Sequence, residues 1–320
     1  MTELSIVVVT YQSAENVVAF LQGTRVVAPD AHLIVVDNAS SDGTPDLIER
    51  TDPAAEVVRL DCNPGFGRSC NTGARRAHGA WLLFANPDVR IRALSLPKVA
   101  TGTQFGLGGG RLAGVAGNDS PTTLRAETTL IEDWLREVMG RFVPPHLYAR
   151  LTIGAHPTAW VCGGLLLTRR DEYLAVGGFD PRYFLYFEDR DLGARYRLAG
   201  LPVRGVPGVE GVHLHGASSS GVPGWQKEAW AFASWLEYVG IWRGQATADY
   251  AALSAITALK CMARVGKLGG RWTRVRRKTD QVDEIVEFVT TLEHRLPLGD
   301  TGYYPHAVKA LAKTLRNSTL

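Results

Sequence analysis

The hydrophobic positions in the first part of the chain predict four buried strands that alternate with helices. Continuous runs of β-branched and aliphatic residues are typical of strands that are covered on both faces of a parallel sheet. The predicted strands span residues 4–9, 32–37, 56–60 and 81–84, and the predicted helices span residues 14–22, 45–50 and 67–78. This alternation favours a right-handed, doubly wound α/β sheet.

The pattern changes beyond these strands. A glycine-rich segment at residues 101–117 predicts a loop with one or two strands. Later strands are predicted at residues 158–168, 202–206 and 209–215, and helices at residues 170–176 and 188–198. After Gly221, aromatic residues at helical spacing predict a helical appendage. We therefore expect an α/β domain at residues 1–220, with halves that meet near residue 100, and a helical region at residues 221–320.

Composition narrows the classes of function. Hydrophobic residues make up 45% of the chain and charged residues 21%, as in soluble globular proteins. The net charge of +3 does not call for a nucleic-acid partner. The N-terminal residues show no secretory signal and no apolar run has membrane-spanning length, so we expect a cytoplasmic protein. The four cysteines lack metal-ligand spacing, and we expect reduced thiols in or near the core.

Polar residues follow each of the four predicted strands. Ligands of doubly wound sheets bind at the carboxyl ends of the strands, where these residues should gather. They are Thr10, Tyr11, Asp37, Asn38, Asn63, Asn86 and Asp88. A carboxylate at Asp37 can accept hydrogen bonds from a base or a ribose, although it could also cap the next helix.

The turn after the third strand has the residues of a phosphate-binding loop. Gly65 and Phe66 lead into a helix that carries Arg68 and Asn71. Glycine allows close approach of a ligand, and arginine can contact a phosphate. An ordinary turn from strand to helix remains the alternative.

A candidate metal site follows the fourth strand. Asp88 lies after a proline in a stiff turn, in line with Asp37 and Asn63. Mg²⁺ and Mn²⁺ use few protein carboxylates together with phosphate oxygens and water. His213 and His215 alternate on one predicted strand and so share a face; one of them could add a metal ligand or a phosphate contact. A histidine that simply belongs to the core is the alternative.

Three carboxylates stand within four residues directly after a run of aromatic residues. They are Glu188, Asp189 and Asp191. Aromatic neighbours would restrict water and raise the pKa of Glu188 and Asp189 toward the range of a general base. The alternative is a solvated helix N-terminus, where acidic residues are favoured. We expect Asp191 either to cap the helix or to pair with Arg195 at the i,i+4 position.

Taken together, these motifs resemble the inverting family 2 glycosyltransferases of the GT-A fold, especially their bacterial rhamnosyltransferase branch. The resemblance covers roughly the first 220 residues. It is carried by VVVTY at 7–11, VDNASSDGT at 36–44, NPGFGRSCN at 63–71, FANPDV at 84–89, CGGLLLTRR at 162–170, GGFDPRYFLYFEDRDLGAR at 177–195 and VHLHGASS at 212–219. It implies a Rossmann-like, mostly parallel sheet flanked by helices.

The resemblance also implies roles for individual residues. Asp189 is the expected catalytic base, Glu188 shapes its site, and Asp88 and His213 hold Mg²⁺ or Mn²⁺ on the donor diphosphate. The expected nucleotide-binding residues are Thr10, Tyr11, Asp37, Asn38, Asn63, Gly65, Phe66, Arg68, Asn71 and Asn86. Many relatives have aspartate where this chain has Asn86, so weaker metal binding is implied. His215 matches no role.

The expected function is transfer of a sugar from a nucleotide diphosphate donor to a hydroxyl group. The resemblance points first to dTDP-β-L-rhamnose and second to another dTDP- or UDP-hexose, with a glycan, a glycolipid or a natural product as acceptor. Gly163, Gly164 and Trp160 are expected to line the acceptor pocket. A catalytically silent nucleotide-sugar-binding protein stays an alternative. Homodimerisation and peripheral contact with the inner membrane face, through the basic residues 260–278, also stay open.

Overall fold

The computed structural model describes residues 3–98, 103–114, 123–135, 137, 158–213 and 224–268. The described strands form an eight-stranded sheet in the order β3-β2-β1-β4-β9-β6-β10-β5 and a two-stranded sheet of β7 and β8. The strands are β1 Leu4–Thr10, β2 His32–Asp37, β3 Glu56–Arg59, β4 Trp81–Ala85, β5 Val89–Leu94, β6 Leu107–Gly114, β7 Leu124–Ala126, β8 Thr158–Val161, β9 Leu165–Arg169 and β10 Val203–His213.

Helices connect these strands and follow the sheet. They are α1 Ala14–Val27, α2 Thr44–Thr51, α3 Phe66–Arg76, α4 Leu130–Trp134, α5 Arg170–Ala175, α6 Glu188–Leu198, α7 Gly224–Arg243 and α8 Gln245–Leu268. The four strands β3, β2, β1 and β4 pair in parallel, whereas β9 and β5 pair antiparallel to their neighbours. The predicted α/β fold with a mostly parallel sheet is confirmed.

Hydrophobic side chains cover both faces of the sheet. Alternate residues of β1 enter two different cores: Ile6 and Val8 belong to one, and Val7 and Val9 belong to the other. Since successive side chains of a strand point to opposite faces, this division explains why β1 is apolar at every position from 6 to 9. Burial from both sides fixes the strand ends, where the polar residues begin.

Some boundaries differ from the predictions. The apolar run at 158–168 is two strands, β8 and β9, which are separated by a turn at residues 162–164, and the two strands predicted at 202–215 are the single strand β10. β5 was missed, although Val89 and Ile91 are buried and alternate with arginines. Cys62 is exposed, so its expected place near the core was wrong. His215 lies outside the described residues.

The chain divides into two compact units. Unit 1 comprises Met1–Glu127, His156–Phe184 and Glu188–Gly221, and unit 2 comprises Thr128–Ala155, Leu185–Phe187 and Val222–Leu320. In unit 2, Phe232, Trp235 and Tyr238 of α7 are buried, so these aromatic residues belong to its core. In the described part of the chain, no helix has both the length and the apolar composition that crossing a membrane requires. The domain boundary near residue 220 stays a prediction.

Candidate active site

The carboxylate of Asp37 is held by hydrogen bonds at the ends of β1 and β2. The Thr10 hydroxyl donates to Oδ1 over 2.8 Å, and Ser40 donates its hydroxyl to Oδ1 and its backbone N–H to Oδ2 over 2.7 and 2.8 Å. Ala39 adopts a left-handed backbone with φ 57°, which turns the chain back toward Asp37. Asp42, not Asp37, accepts from the first backbone N–H of α2, that of Thr44, so the helix-cap alternative for Asp37 was wrong.

Amide side chains join the ends of β2 and β3 to the start of α3. Asn38 Nδ2 donates to Asn63 Oδ1 over 3.0 Å, and the Ser69 hydroxyl donates to Asn38 Oδ1 over 2.5 Å. Asn63 Oδ1 also accepts from the backbone N–H of Gly65 over 3.0 Å. The predicted nucleotide residues Asp37, Asn38 and Asn63 therefore lie at adjoining strand ends, in orientations that the protein itself fixes. Sequence reasoning missed Ser40 and Ser69, which supply the donors.

Gly65 allows the turn after β3 to contact the segment that precedes α6. Its φ is +96°, and a Cβ atom at this position would lie 2.2 Å from the carbonyl oxygen of Phe184. The Phe66 N–H donates to the same oxygen over 2.9 Å. No other residue fits here without a shift of the backbone. This contact places the start of α3 beside the residues that lead to Glu188.

Asp88 and His213 come together because β5 pairs with β10. The register sets Val89 opposite His213, and His213 Nε2 lies 3.2 Å from Asp88 Oδ1. Asp88 is only 1% exposed. Within the described residues, no group of three or more His, Cys, Asp or Glu side chains is arranged to hold a metal ion. A carboxylate and an imidazole fit a divalent cation whose other ligands are diphosphate oxygens and water.

Asp189 is oriented by two backbone N–H groups. Its Oδ2 accepts from Gly163 over 3.0 Å and its Oδ1 accepts from Arg190 over 2.8 Å. The residue keeps part of its surface accessible. Burial of the carboxyl group nevertheless raises its pKa above the ordinary value of 3.8. The predicted rise is confirmed, and the carboxylate is both fixed in direction and made more basic.

Glu188, the neighbour of Asp189, is buried more deeply. It is 5% exposed, and burial, followed by the negative charges of Asp189 and Asp191, raises its pKa well above 4.5. The alternative of a solvated helix start was therefore wrong for Glu188. The negative charge of Asp189 therefore opposes ionisation of Glu188 beside it.

Two ion pairs anchor the first turns of α6. Arg195 Nε donates to Asp191 Oδ2 over 2.8 Å, which confirms the predicted i,i+4 pair. Arg190 is almost fully buried and pairs with Glu127. This second pair was missed because its members are 63 residues apart and the sequence gives no local sign of it.

The described structure brings several predicted residues to one place. The backbone N–H of Asn86 donates to the carbonyl of Gly164 over 3.2 Å, next to the Gly163 N–H that binds Asp189. A Cβ atom on Gly163 would lie 3.2 Å from the Phe66 ring. The turn at residues 162–164 therefore links the end of β4 to the start of α6.

Other predicted residues have their polar groups engaged within the protein. Asn71 donates to the carbonyl of Phe179 and accepts from the Tyr173 hydroxyl. Arg68 Nε donates to the carbonyl of Pro181, and Trp160 Nε1 donates to that of Ala126. The backbone N–H of Tyr11 donates to Ser13 Oγ. Ligand roles for Tyr11, Arg68, Asn71 and Trp160 stay predictions.

Thiol chemistry is not supported at this site. Burial and the charge of Asp189 raise the pKa of Cys162 to about 11, and burial raises that of Cys70 well above its ordinary value. Both thiols stay protonated at neutral pH, and a protonated thiol is a poor nucleophile.

Comparison with known proteins identifies the family. Residues 5–115 match the model of glycosyl transferase family 2. The N-acetylglucosaminyl-diphospho-decaprenol L-rhamnosyltransferase of Mycobacterium tuberculosis is 32% identical over 241 residues, which cover 68% of this chain and 78% of the relative. This chain belongs to glycosyltransferase family 2. The rhamnosyltransferase WbbL of Escherichia coli is 41% identical over 54 residues, 17% of this chain and 20% of that protein.

Two solved structures resemble this glycosyltransferase more distantly. The mannosyltransferase PcManGT from Pyrobaculum calidifontis, in complex with GDP-Man and Mn²⁺, has a TM-score of 0.46 at 17% identity and covers 91% of this chain and 87% of its own. Staphylococcus aureus TarS 1-349, in complex with UDP-GlcNAc, has a TM-score of 0.46 at 13% identity and covers 98% and 87%. Likeness at this level adds nothing to the assignment.

Proposed function

We propose that this glycosyltransferase transfers L-rhamnose from dTDP-β-L-rhamnose to a hydroxyl of a lipid-diphosphate-linked sugar, with inversion at the anomeric carbon. The single observation that supports a transfer reaction best is Asp189, a partly accessible carboxylate with a raised pKa that Gly163 and Arg190 orient. The choice of donor and acceptor rests on the relative from Mycobacterium tuberculosis, whose name includes an L-rhamnosyl group and a diphospho-decaprenol acceptor.

In the proposed reaction, Asp189 removes the proton from the acceptor hydroxyl. The acceptor oxygen attacks the anomeric carbon from the face opposite the nucleotide and forms the new glycosidic bond. The bond from that carbon to the diphosphate oxygen breaks, and its electron pair leaves with the nucleoside diphosphate. The transition state resembles an oxocarbenium ion, as in hydrolysis at the same carbon. A single displacement of this kind turns a β-L donor into an α-L product.

Asp88 and His213 are the residues that would hold a divalent cation. When bound, such a cation supplies positive charge that stabilises the negative charge of the departing diphosphate. Asp88 contributes a buried carboxylate and His213 an imidazole nitrogen 3.2 Å from it. Thr10, Asp37, Asn38 and Asn63 are proposed to contact the nucleotide, and Gly163 and Gly164 the acceptor.

The donor is tested by thermal unfolding with a panel of nucleotide sugars, each with and without Mn²⁺. A ligand that binds only the folded protein raises the Tm. We expect dTDP-β-L-rhamnose with Mn²⁺ to give the largest rise. A larger rise with a UDP- or GDP-sugar would refute the donor.

Turnover is tested with the selected donor and an N-acetylglucosaminyl diphosphate lipid. We expect an α-L-linked product, identified from its anomeric NMR signals. A β-L product would refute inversion. Donor binding without any transfer would favour the silent nucleotide-sugar-binding protein instead.

The lipid-linked acceptor would bring the enzyme to a membrane surface. The sequence from Lys260 to Lys278 has eight basic residues and no acidic one, and basic segments are attracted to anionic lipids. We propose peripheral contact through this segment. Flotation with vesicles that contain anionic phospholipid should carry the protein upward at low salt and release it at high salt. Absence of flotation at low salt would refute the contact.

A further inference from the structure

Unit 2 contains an apolar groove between a short helix and a long one. The cavity has a volume of about 290 Å³ and is partly open to solvent. Its lining residues are Leu130, Ile131 and Trp134 of α4 and Tyr250, Ala251 and Ser254 of α8. The mechanism proposed above uses none of them.

The polar groups of Trp134 and Ser254 are bonded within the wall of the groove. Trp134 Nε1–H donates to Ser254 Oγ over 2.9 Å, and the Ser254 hydroxyl donates to the Ala251 carbonyl over 2.9 Å. The groove therefore presents mainly carbon to a ligand. A sugar or a nucleotide would lose hydrogen bonds to water there without replacing them, whereas a hydrocarbon chain has none to lose.

Large apolar side chains are exposed around this groove. Ile131 is 71% exposed, Tyr250 is 74% exposed, and Leu253, three residues further along α8, is 51% exposed. Residues three apart are neighbours on a helix surface. Grouped exposure of this kind is typical of a binding surface, because isolated apolar residues are common on proteins and clustered ones are not.

The short helix α4 is held in place before any ligand binds. A capping box fixes its start: Thr129 Oγ accepts from the Glu132 N–H, and the Glu132 carboxylate accepts from the Thr129 N–H. The Thr128 hydroxyl also donates to Asp133 over 2.5 Å. A preformed wall lowers the entropic cost of binding a flexible chain.

Basic residues on the helix that lines the groove indicate which class of hydrocarbon ligand it would bind. The helix that carries Tyr250 and Ser254 continues to Leu268 and includes Lys260, Arg264 and Lys267. At a rise of about 1.5 Å per residue, Lys260 follows Ser254 by about 9 Å along the helix axis. An apolar groove followed by basic residues on one helix matches a ligand with a hydrocarbon chain and an anionic diphosphate.

We propose that the apolar groove binds the first isoprene units of a polyprenyl-diphosphate-linked acceptor. This proposal rests on the proposed function, since it names the part of the acceptor that unit 2 recognises. Burial of an isoprenoid chain against Ile131 and Tyr250 would add binding energy that does not depend on the sugar.

The kinetic test uses the double variant Ile131→Ser/Tyr250→Ser and two acceptors that carry the same sugar diphosphate, one on a polyprenyl chain and one on a methyl group. We expect KM for the polyprenyl acceptor to rise about tenfold or more, because two apolar side chains are lost. KM for the methyl acceptor and for the donor should stay unchanged. Val26→Ser, at an 82% exposed position of unit 1, is the matched control.

An unchanged KM for the polyprenyl acceptor would overturn the proposal, and so would an equal rise for both acceptors. Light scattering of the wild type and the double variant checks a further occupant, a second copy of this chain. A wild-type dimer that the double substitution splits without a change in KM would assign the groove to self-association and overturn the proposal.

Photocrosslinking separates this proposal from the proposed function. The probe is geranylgeranyl diphosphate with a photoreactive terminal group, which needs no turnover. We expect crosslinked peptides that contain residues 130–134 or 250–254, and loss of these products in the double variant. Such crosslinks without rhamnosyl transfer would refute the proposed function but support binding of an isoprenoid chain in the groove. Transfer without crosslinks at the groove would refute the groove alone.

Discussion

The carboxylates at the strand ends around Asp37 and at the start of α6 have different environments. Around Asp37, hydroxyl and backbone donors from Thr10 and Ser40 occupy both carboxylate oxygens. At the start of α6, Glu188 and Asp189 are adjacent acids whose pKa values burial raises. The hydrogen bonds around Asp37 fix the conformation of the strand ends, whereas burial at the start of α6 makes a carboxylate more basic. A proton acceptor is therefore expected only in the second region.

Both regions contain left-handed backbone, since Ala39 beside Asp37 has φ 57° and two residues before α6 share this conformation. Tyr186 and Phe187 adopt left-handed conformations with φ 71° and 64°, which side-chain-bearing residues rarely adopt. Within unit 2, the Ser234 hydroxyl donates to the Leu185 carbonyl over 2.8 Å, and the Phe187 ring packs 5.7 Å from that of Tyr238. Strain of this kind persists where surrounding contacts enforce it, and it clusters at functional sites.

The largest expected effect belongs to Asp189→Asn. Removal of a general base lowers kcat by about 10²–10⁴, while donor binding should stay near that of the wild type. Glu188→Gln is the matched control, because it makes the same change from carboxyl to amide one residue away. Steady-state kinetics and donor titration measure both variants. An Asp189→Asn enzyme with about a tenth of wild-type kcat would contradict the role of base.

Asp88→Asn should have the next largest effect. Loss of an outer partner of a metal ligand costs about 10–100-fold in metal affinity or activity, so loss of the ligand itself should cost at least that. We expect the Mn²⁺ concentration for half-maximal activity to rise by this factor. Asp30→Asn, at an exposed position, serves as control. An unchanged Mn²⁺ requirement would remove Asp88 from the metal site.

Asp37→Ala tests whether the hydrogen bonds of Asp37 stabilise the strand ends. Loss of the carboxylate leaves the donors of Thr10 and Ser40 without their acceptor, so the free energy of unfolding should fall by about 2–3 kcal/mol. Chemical denaturation measures this change, and kcat should change far less than in Asp189→Asn. Unchanged stability together with a kcat loss as large as that of Asp189→Asn would contradict a structural role for Asp37 and a catalytic role for Asp189 alone.

Glu188→Gln should change stability in the opposite direction. The folded protein raises the pKa of Glu188, so ionisation at neutral pH opposes folding; this cost is absent below about 4.5 and grows as the pH rises toward the folded-state pKa. The variant should therefore be more stable at pH 7 and gain nothing at pH 4. A gain of about 1 kcal/mol corresponds to roughly 2–4 °C in Tm. A lower Tm at pH 7 would refute the raised pKa of Glu188.

Local patterns predicted much of the fold, and long-range contacts account for the misses. The continuous apolar runs of β1 and β2 identified buried strands, and the rule that ligands bind at strand ends gathered Asp37, Asn38 and Asn63. An equally continuous run concealed the turn between β8 and β9, since Gly163 and Gly164 lie among residues that suit a strand. That turn supplies the N–H that orients Asp189.

The elements of the site that sequence reasoning missed depend on pairs that are far apart in the chain. Arg190 and Glu127 meet across 63 residues, and Ser69 reaches Asn38 across 31. Nothing in the local sequence marks such partners. The pairing of Asp88 with His213 was expected from the family resemblance, and the register of β5 with β10 supplies its physical cause.

The pH dependence of kcat/KM tests most directly whether the ionised form of Asp189 is the base. Burial raises the pKa of Asp189, so the acidic limb of the wild-type profile should lie above 3.8. Asp189→Glu should displace that limb, because it changes the titrating group. Glu188→Gln should leave the limb in place. A limb that stays unmoved in Asp189→Glu would assign the titration to another group and contradict the account.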